Sequence, residues 1–302
     1  MNLQFLADGL VMGAMIGLGA IGVTLTYAIL RFANFAHGEF IAWGAYIALA
    51  LTGVVGAIAV DKSSTFGSLS FGWPIILAAA VAAVLTGGLA VALDLCLFSR
   101  LRNRGNAIVM VIASFGASLA LRNLLEFLFT SQPAYFSQKI QMAIPIGAGI
   151  RITPDQLFLL GLTMVLFILV DSFMVHSASG RAMRAVAENP TLAKISGVNV
   201  DKVIRTTWML GGALACAAGI MVGLTVQVRP YMGFDLLLPL FAAAILGGIG
   251  SVRGAVAGGL IVGISEALAV RLVGADYRAA IAFLILVTVL MFRPAGLFGV
   301  RP

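Results

Sequence analysis

Residues 6–30, LADGLVMGAMIGLGAIGVTLTYAIL, contain a single charge, Asp8, and runs of the same kind recur along the chain. A helix needs about 20 consecutive apolar residues to cross the hydrocarbon of a bilayer. Such runs lie near 5–30, 36–58, 73–98, 106–130, 155–176, 203–228, 255–273 and 277–292, with a shorter, Gly-rich one at 236–251. In lipid every backbone polar group must find its partner within the protein, which leaves helices or closed barrels. The runs are continuous rather than alternating, which excludes a barrel. The expected fold is all-α: a polytopic helical bundle of eight to ten membrane segments, with 236–251 broken or re-entrant.

The chain is 61% apolar and only 10% charged, and its mean hydropathy is +1.07. A soluble domain of that composition could not cover its own apolar surface. The net charge of +7 does not point to nucleic acid, because the basic residues fall between the apolar runs as topology signals do. Arg100, Arg102 and Arg104 follow the third run, and Arg181, Arg184, Lys194, Lys202 and Arg205 surround the connection after the fifth. Two runs separate these loops, so both are expected in the cytoplasm. The N-terminus and segments 61–72 and 131–154 then lie outside, and Arg293 and Arg301 inside. The first basic residue is Arg31, so the charged start of a signal peptide is not expected. Cys96 and Cys216 form no CxxC and share no ligand spacing with His37 or His176, so no metal site is expected.

Glycine recurs every fourth residue at Gly9, Gly13 and Gly17 and again at Gly250, Gly254 and Gly258. Small residues at that spacing let helices approach closely in lipid. Ionisable and polar groups inside apolar runs are the candidates for a solute pathway or gate, because burying them is costly. They are Asn34, His37, Glu39, Ser114, Ser118, Gln227 and Glu266, with Thr225 and Ser265 beside them. Each also has a plain reading. Asn34 and Glu39 suit a helix start, the serines suit close packing, and Arg122 with Glu126 makes an i,i+4 pair.

The connection at 177–202 is rich in local signals. GRAMRAVAEN, residues 180–189, favours a helix that ends before Pro190. Asn189 as N-cap, Pro190 as first residue and Gly197 as left-handed stop specify a second, short helix over 190–196. Asn199 or Asp201 then caps the next span. A rigid connector and an element gripped by a partner are both consistent with these signals.

Three stretches carry a family resemblance: NFAHGE at 34–39, GRAMRAVAEN with AKISGVNVDKV across 180–203, and LGGIGSVRGAVAGGLIVGISEAL at 246–268. Together they resemble the permease family of branched-chain amino-acid ABC importers. They depart from the common importer coupling motif in having Ala-Glu-Asn where Glu-Ala-Ala is usual. The resemblance implies one transmembrane permease domain over 1–302, with a cytoplasmic coupling loop at 177–202 and a place in the bacterial inner membrane. It implies four kinds of partner: a second, homologous permease, two cytoplasmic ATPase subunits, a periplasmic solute-binding protein and membrane lipid. Arg181, Glu188, Asn189, Pro190, Ala193 and Gly197 would form or frame the ATPase contact. No Gly-Lys pair occurs, so no Walker A loop exists, and ATP is expected to be used by partner subunits and no cofactor bound here. Urea or short amides are the alternative cargo, and an ion-coupled secondary transporter is the alternative class. An intramembrane enzyme is disfavoured, as HExxH, GxSxG and GxGD are absent.

Overall fold

The apolar runs become helices because only an unbroken i→i−4 ladder satisfies the backbone in hydrocarbon. In a computed structural model, which describes residues 3–58, 68–102, 106–137, 141–147, 149–293 and 295–298, twelve α-helices follow in order. They are α1 (Gln4–Leu30), α2 (His37–Ile58), α3 (Trp73–Leu93), α4 (Ser99–Arg102), α5 (Ala107–Phe129), α6 (Pro154–His176), α7 (Ala178–Glu188), α8 (Pro190–Ile195), α9 (Val200–Thr225), α10 (Met232–Gly247), α11 (Val252–Leu272) and α12 (Arg278–Phe292). A π-helical turn, Asp94–Phe98, joins α3 to α4 without a break. Among the described residues eight helical segments are long and apolar enough to cross a membrane, and α10 is a shorter ninth. The segment expected at 61–72 falls largely on residues 59–67, outside the described residues.

The small residues decide which helix is central. The spanning window of α1 is 89% buried within the protein, whereas that of α12 is 6% buried. Gly9, Gly13 and Gly17 lie against the main chain of Ile264, Leu260 and Val256 on α11, so these two helices run antiparallel. A Cβ on Gly13 would stand 2.8 Å from Leu260 Cα. With no hydrophobic drive between helices in lipid, such close backbone contact is a main source of association. Gly254 and Gly258 instead face Gly247 and Ala243 of α10. Gly250, expected in the same packing series, sits in the α10–α11 turn with φ +90°. There its N–H donates to Thr24 Oγ1 at 2.7 Å, and Ser251 caps α11 by accepting from Gly254 N at 3.0 Å.

The bundle is all-α as expected, and one short hairpin is added to it outside the spans: β1 (Ile144–Gly147) and β2 (Ile150–Ile152) pair antiparallel. The Gln4 side chain clamps Arg151 of this hairpin, donating to its carbonyl at 2.9 Å and accepting from its N–H at 2.8 Å. The hairpin therefore marks the α1 start, opposite the arm described next. In addition α10 begins at Met232, earlier than the 236–251 run suggested, and carries Pro239 in its interior.

The 177–202 connection is an arm of two helices. Ser177 caps α7 by accepting from Gly180 N at 2.8 Å. Asn189 Oδ1 accepts from Thr191 N and Leu192 N, both at 3.0 Å, to start α8. Gly197 stops it at φ +86°, and Asn199 caps α9 through Lys202 N. Arg181 donates to His176 O at 2.8 Å and Arg184 to Met174 O, so two of the open carbonyls at the end of α6 are satisfied by the arm.

Candidate functional site

Two helices of this bundle start inside it. Between α1 and α2 the chain breaks over residues 31–36, and between α9 and α10 over 226–231, gaps of equal length. The α2 start lies against the middle of α5: Phe35 N donates to Ser114 Oγ at 3.1 Å, and Glu39 meets Ser118. The α10 start meets it there, since no Cβ fits between Gly38 and Gly233. Irregular backbone at membrane depth is tolerated only where protein or a cavity surrounds it. Both helices carry an acid in the first turn, Glu39 and Asp235, where the macrodipole favours a negative charge.

At this junction Glu39 Oε1 accepts from Arg122 Nη2 at 2.6 Å and from Ser118 Oγ at 2.8 Å. The side chains of Glu39 and Arg122 are 1% and 8% exposed. The Arg122 guanidinium lies 4.4 Å from the Phe234 ring centre and 5.1 Å from that of Tyr231, so it links α5 to the α10 start through cation–π contact. Phe35 stands between Phe115 and Phe241 at 6.0 and 5.7 Å. Asn34 Oδ1 turns back to accept from Ala36 N at 3.1 Å. Glu39 Oε2, Asn34 Nδ2 and Arg122 Nε are buried with no hydrogen-bond partner among the described residues. The cluster therefore retains polar capacity in its interior.

Of the sequence candidates, Asn34, Glu39, Ser114 and Ser118 come together here. His37 begins the same helix, but its ring is turned toward α1, against Gly22. Gln227 lies apart, accepting from Tyr135 Oη at 3.0 Å, and Glu266 is on α11, away from the cluster. Arg122 was expected to pair with Glu126; its partner is Glu39, because α2 rather than its own next turn covers that face. The sequence reading also missed Tyr231 and Phe234, whose aromatic character next to a helix start was the available signal.

Arg31 joins the arm to the α1–α2 break. Arg31, in left-handed conformation at φ 57°, ends α1 and donates from Nη2 to Ala187 O at 3.0 Å and Glu188 O at 3.1 Å. The break before α2 is thus tied to the last carbonyls of α7. In the arm Arg181, Glu188, Asn189, Pro190 and Gly197 are exposed, whereas Ala193 is buried and faces the bundle. The apolar side chains on the open side of α8 are Leu192 and Ile195, 61% and 80% exposed.

A lipid-spanning bundle whose broken helices meet at a buried ion pair, with a capped arm tied to one break, has the build of a membrane permease. Residues 5–290 match the family described as the permease component of branched-chain amino acid transport systems. The chain belongs to this family, and it is a permease subunit of an ABC importer, with ATP hydrolysis assigned to a partner. It is 32% identical to the high-affinity branched-chain amino acid transport system permease protein LivH of Escherichia coli (strain K12), over 99% of this chain and 96% of that protein. It is equally 32% identical to BraD of Pseudomonas aeruginosa, with the same coverage. A probable branched-chain amino acid transport permease of Methanocaldococcus jannaschii is 28% identical over 98% of this chain and 92% of its own length. Members of the family work with ATPase and solute-binding partners.

Proposed function

We propose that this permease moves branched-chain amino acids inward across the bacterial inner membrane, as one of two homologous permeases served by two cytoplasmic ATPases and a periplasmic binding protein. The N-terminus and the β1–β2 hairpin face the periplasm, and the arm and C-terminus face the cytoplasm. The Lys and Arg residues around α4, α7 and α8 support this orientation.

In this reading ATPase closure pushes on α8 and its neighbours Arg181, Glu188, Asn189, Pro190 and Gly197, with Ala193 holding the helix to the bundle. The displacement reaches the α1–α2 break through Arg31 and biases the junction of α2 and α10 between two packings. Asn34, Glu39, Ser114 and Ser118 line or gate the path at that junction, while His37 positions α2. Gln227 and Glu266 belong to its periplasmic approach. The observation that carries this mechanism is the pair of Arg31 hydrogen bonds joining the break to the arm.

The test is reconstitution in proteoliposomes with a second permease, the ATPase subunits and a solute-binding protein. ATP-driven uptake of leucine in preference to urea is the expected result. Uptake that follows an ion gradient without any ATPase would overturn the importer reading, and preference for urea would overturn the cargo.

A further inference from the structure

The end of the bundle opposite the arm holds a cavity of about 600 Å³ between the first turns of α1, the ends of α9 and α11 and the start of α12. A second cavity of about 610 Å³ shares Met12, Val226, Glu266 and Arg278 with it and extends to Phe35 at the α2–α10 junction. Glu266 is therefore common to the mouth and the inner space.

Its surroundings are unusual for a carboxylate. The Glu266 side chain is 1% exposed, yet neither oxygen has a hydrogen-bond donor among the described residues. Arg278 has Nε at 3.9 Å from Oε2, beyond hydrogen-bond reach, and its side chain is 48% exposed. Buried carboxylates are normally satisfied by donors, so these oxygens are fitted to a group that arrives from the cavity. Met12, Met15, Val11 and Val270 supply apolar wall beside them.

We propose that Glu266 and Arg278 form a binding site for an aliphatic α-amino acid, on the path between the mouth and the junction. The ammonium group brings three donors and a positive charge to the orphan oxygens. Arg278 is then free to take the carboxylate as a guanidinium fork does, and the methionine and valine wall takes the side chain. Urea would satisfy the Glu266 oxygens but would leave Arg278 without an anion. A metal ion is poorly served, since among the described residues no cluster of three or more acids, histidines or cysteines exists.

This inference rests on the importer reading, and the experiment separates the two. Leucine uptake and ATP hydrolysis are measured for the reconstituted complex carrying the native chain, Glu266→Gln or Arg278→Gln. Leucine binding is measured on the full chain in lipid nanodiscs, with 4-methylpentanoate and 3-methylbutylamine as competitors lacking one charge each. Both variants are expected to weaken leucine binding roughly ten- to a hundredfold and to lower leucine uptake with it. In Glu266→Gln, 4-methylpentanoate should compete nearly as well as leucine, which a merely structural role for Glu266 would not produce. Arg278 is half exposed at a helix start, so its variant carries the test if Glu266→Gln fails to assemble. No ATP-driven leucine uptake by the native complex would refute the importer reading. Native uptake with unchanged leucine binding in both variants would refute this site alone.

Discussion

Replacing Arg122 with Met removes one partner of a buried ion pair and leaves the Glu39 carboxylate with only Ser118 as a donor. With the two side chains 1% and 8% exposed, solvent screens little of the loss. Breaking a buried pair from one side costs about 3–5 kcal/mol, because the remaining charge is left uncompensated. Loss of the Tyr231 and Phe234 contacts adds roughly 0.5–2 kcal/mol. Adding Glu39→Gln to Arg122→Met removes the stranded charge, and a neutral pair of similar volume often restores stability. A double-mutant cycle read by unfolding of the detergent-solubilised chain should therefore give a coupling of about 2 kcal/mol or more, with the double variant more stable than Arg122→Met. Additive single effects of less than about 1 kcal/mol, in the range of exposed pairs, would refute the assignment of Glu39–Arg122 as the clamp between α2 and α5.

Gly13→Leu places a branched side chain where a Cβ already stands 2.8 Å from Leu260 Cα. It should part α1 from α11 and cost at least about 1–3 kcal/mol, seen as a lower folded yield and earlier unfolding. Asn189→Ala removes the cap of α8 and about 1 kcal/mol of local helix stability; faster amide exchange confined to residues 191–196 and weaker association with the ATPase subunits are expected. Arg253→Ala removes a bidentate bond to Asp171, but the Arg253 side chain is 67% exposed, so stability should change by less than about 1 kcal/mol.

What the sequence disclosed was local. Run length placed the spans, and Asn189, Pro190, Gly197 and Asn199 defined the arm, because caps and stops act within a turn of their own helix. Pairing across the bundle was not legible in the same way. Glu39 and Arg122 are 83 positions apart, and nothing in a lipid-facing or buried apolar stretch says which face turns inward. Spacing alone also misplaced Gly250, since a four-residue period continues through a turn without marking where α11 begins. The equal gaps at 31–36 and 226–231 are visible only once both helix starts are seen to meet. Glu266 stood out as an acid in an apolar run, but its donor-free surroundings belong to tertiary structure.

Movement of the arm is delivered to the α1–α2 break through Arg31 in the mechanism proposed above. This delivery is tested most directly by the number of leucine molecules imported per ATP hydrolysed when Arg31 is replaced by Gln in the reconstituted complex. Hydrogen bonds from an exposed charged donor are worth about 1 kcal/mol after solvent screening, so the ratio should fall roughly fivefold while the subunits remain assembled and hydrolyse ATP. An assembled Arg31→Gln complex with the native ratio would contradict the claim.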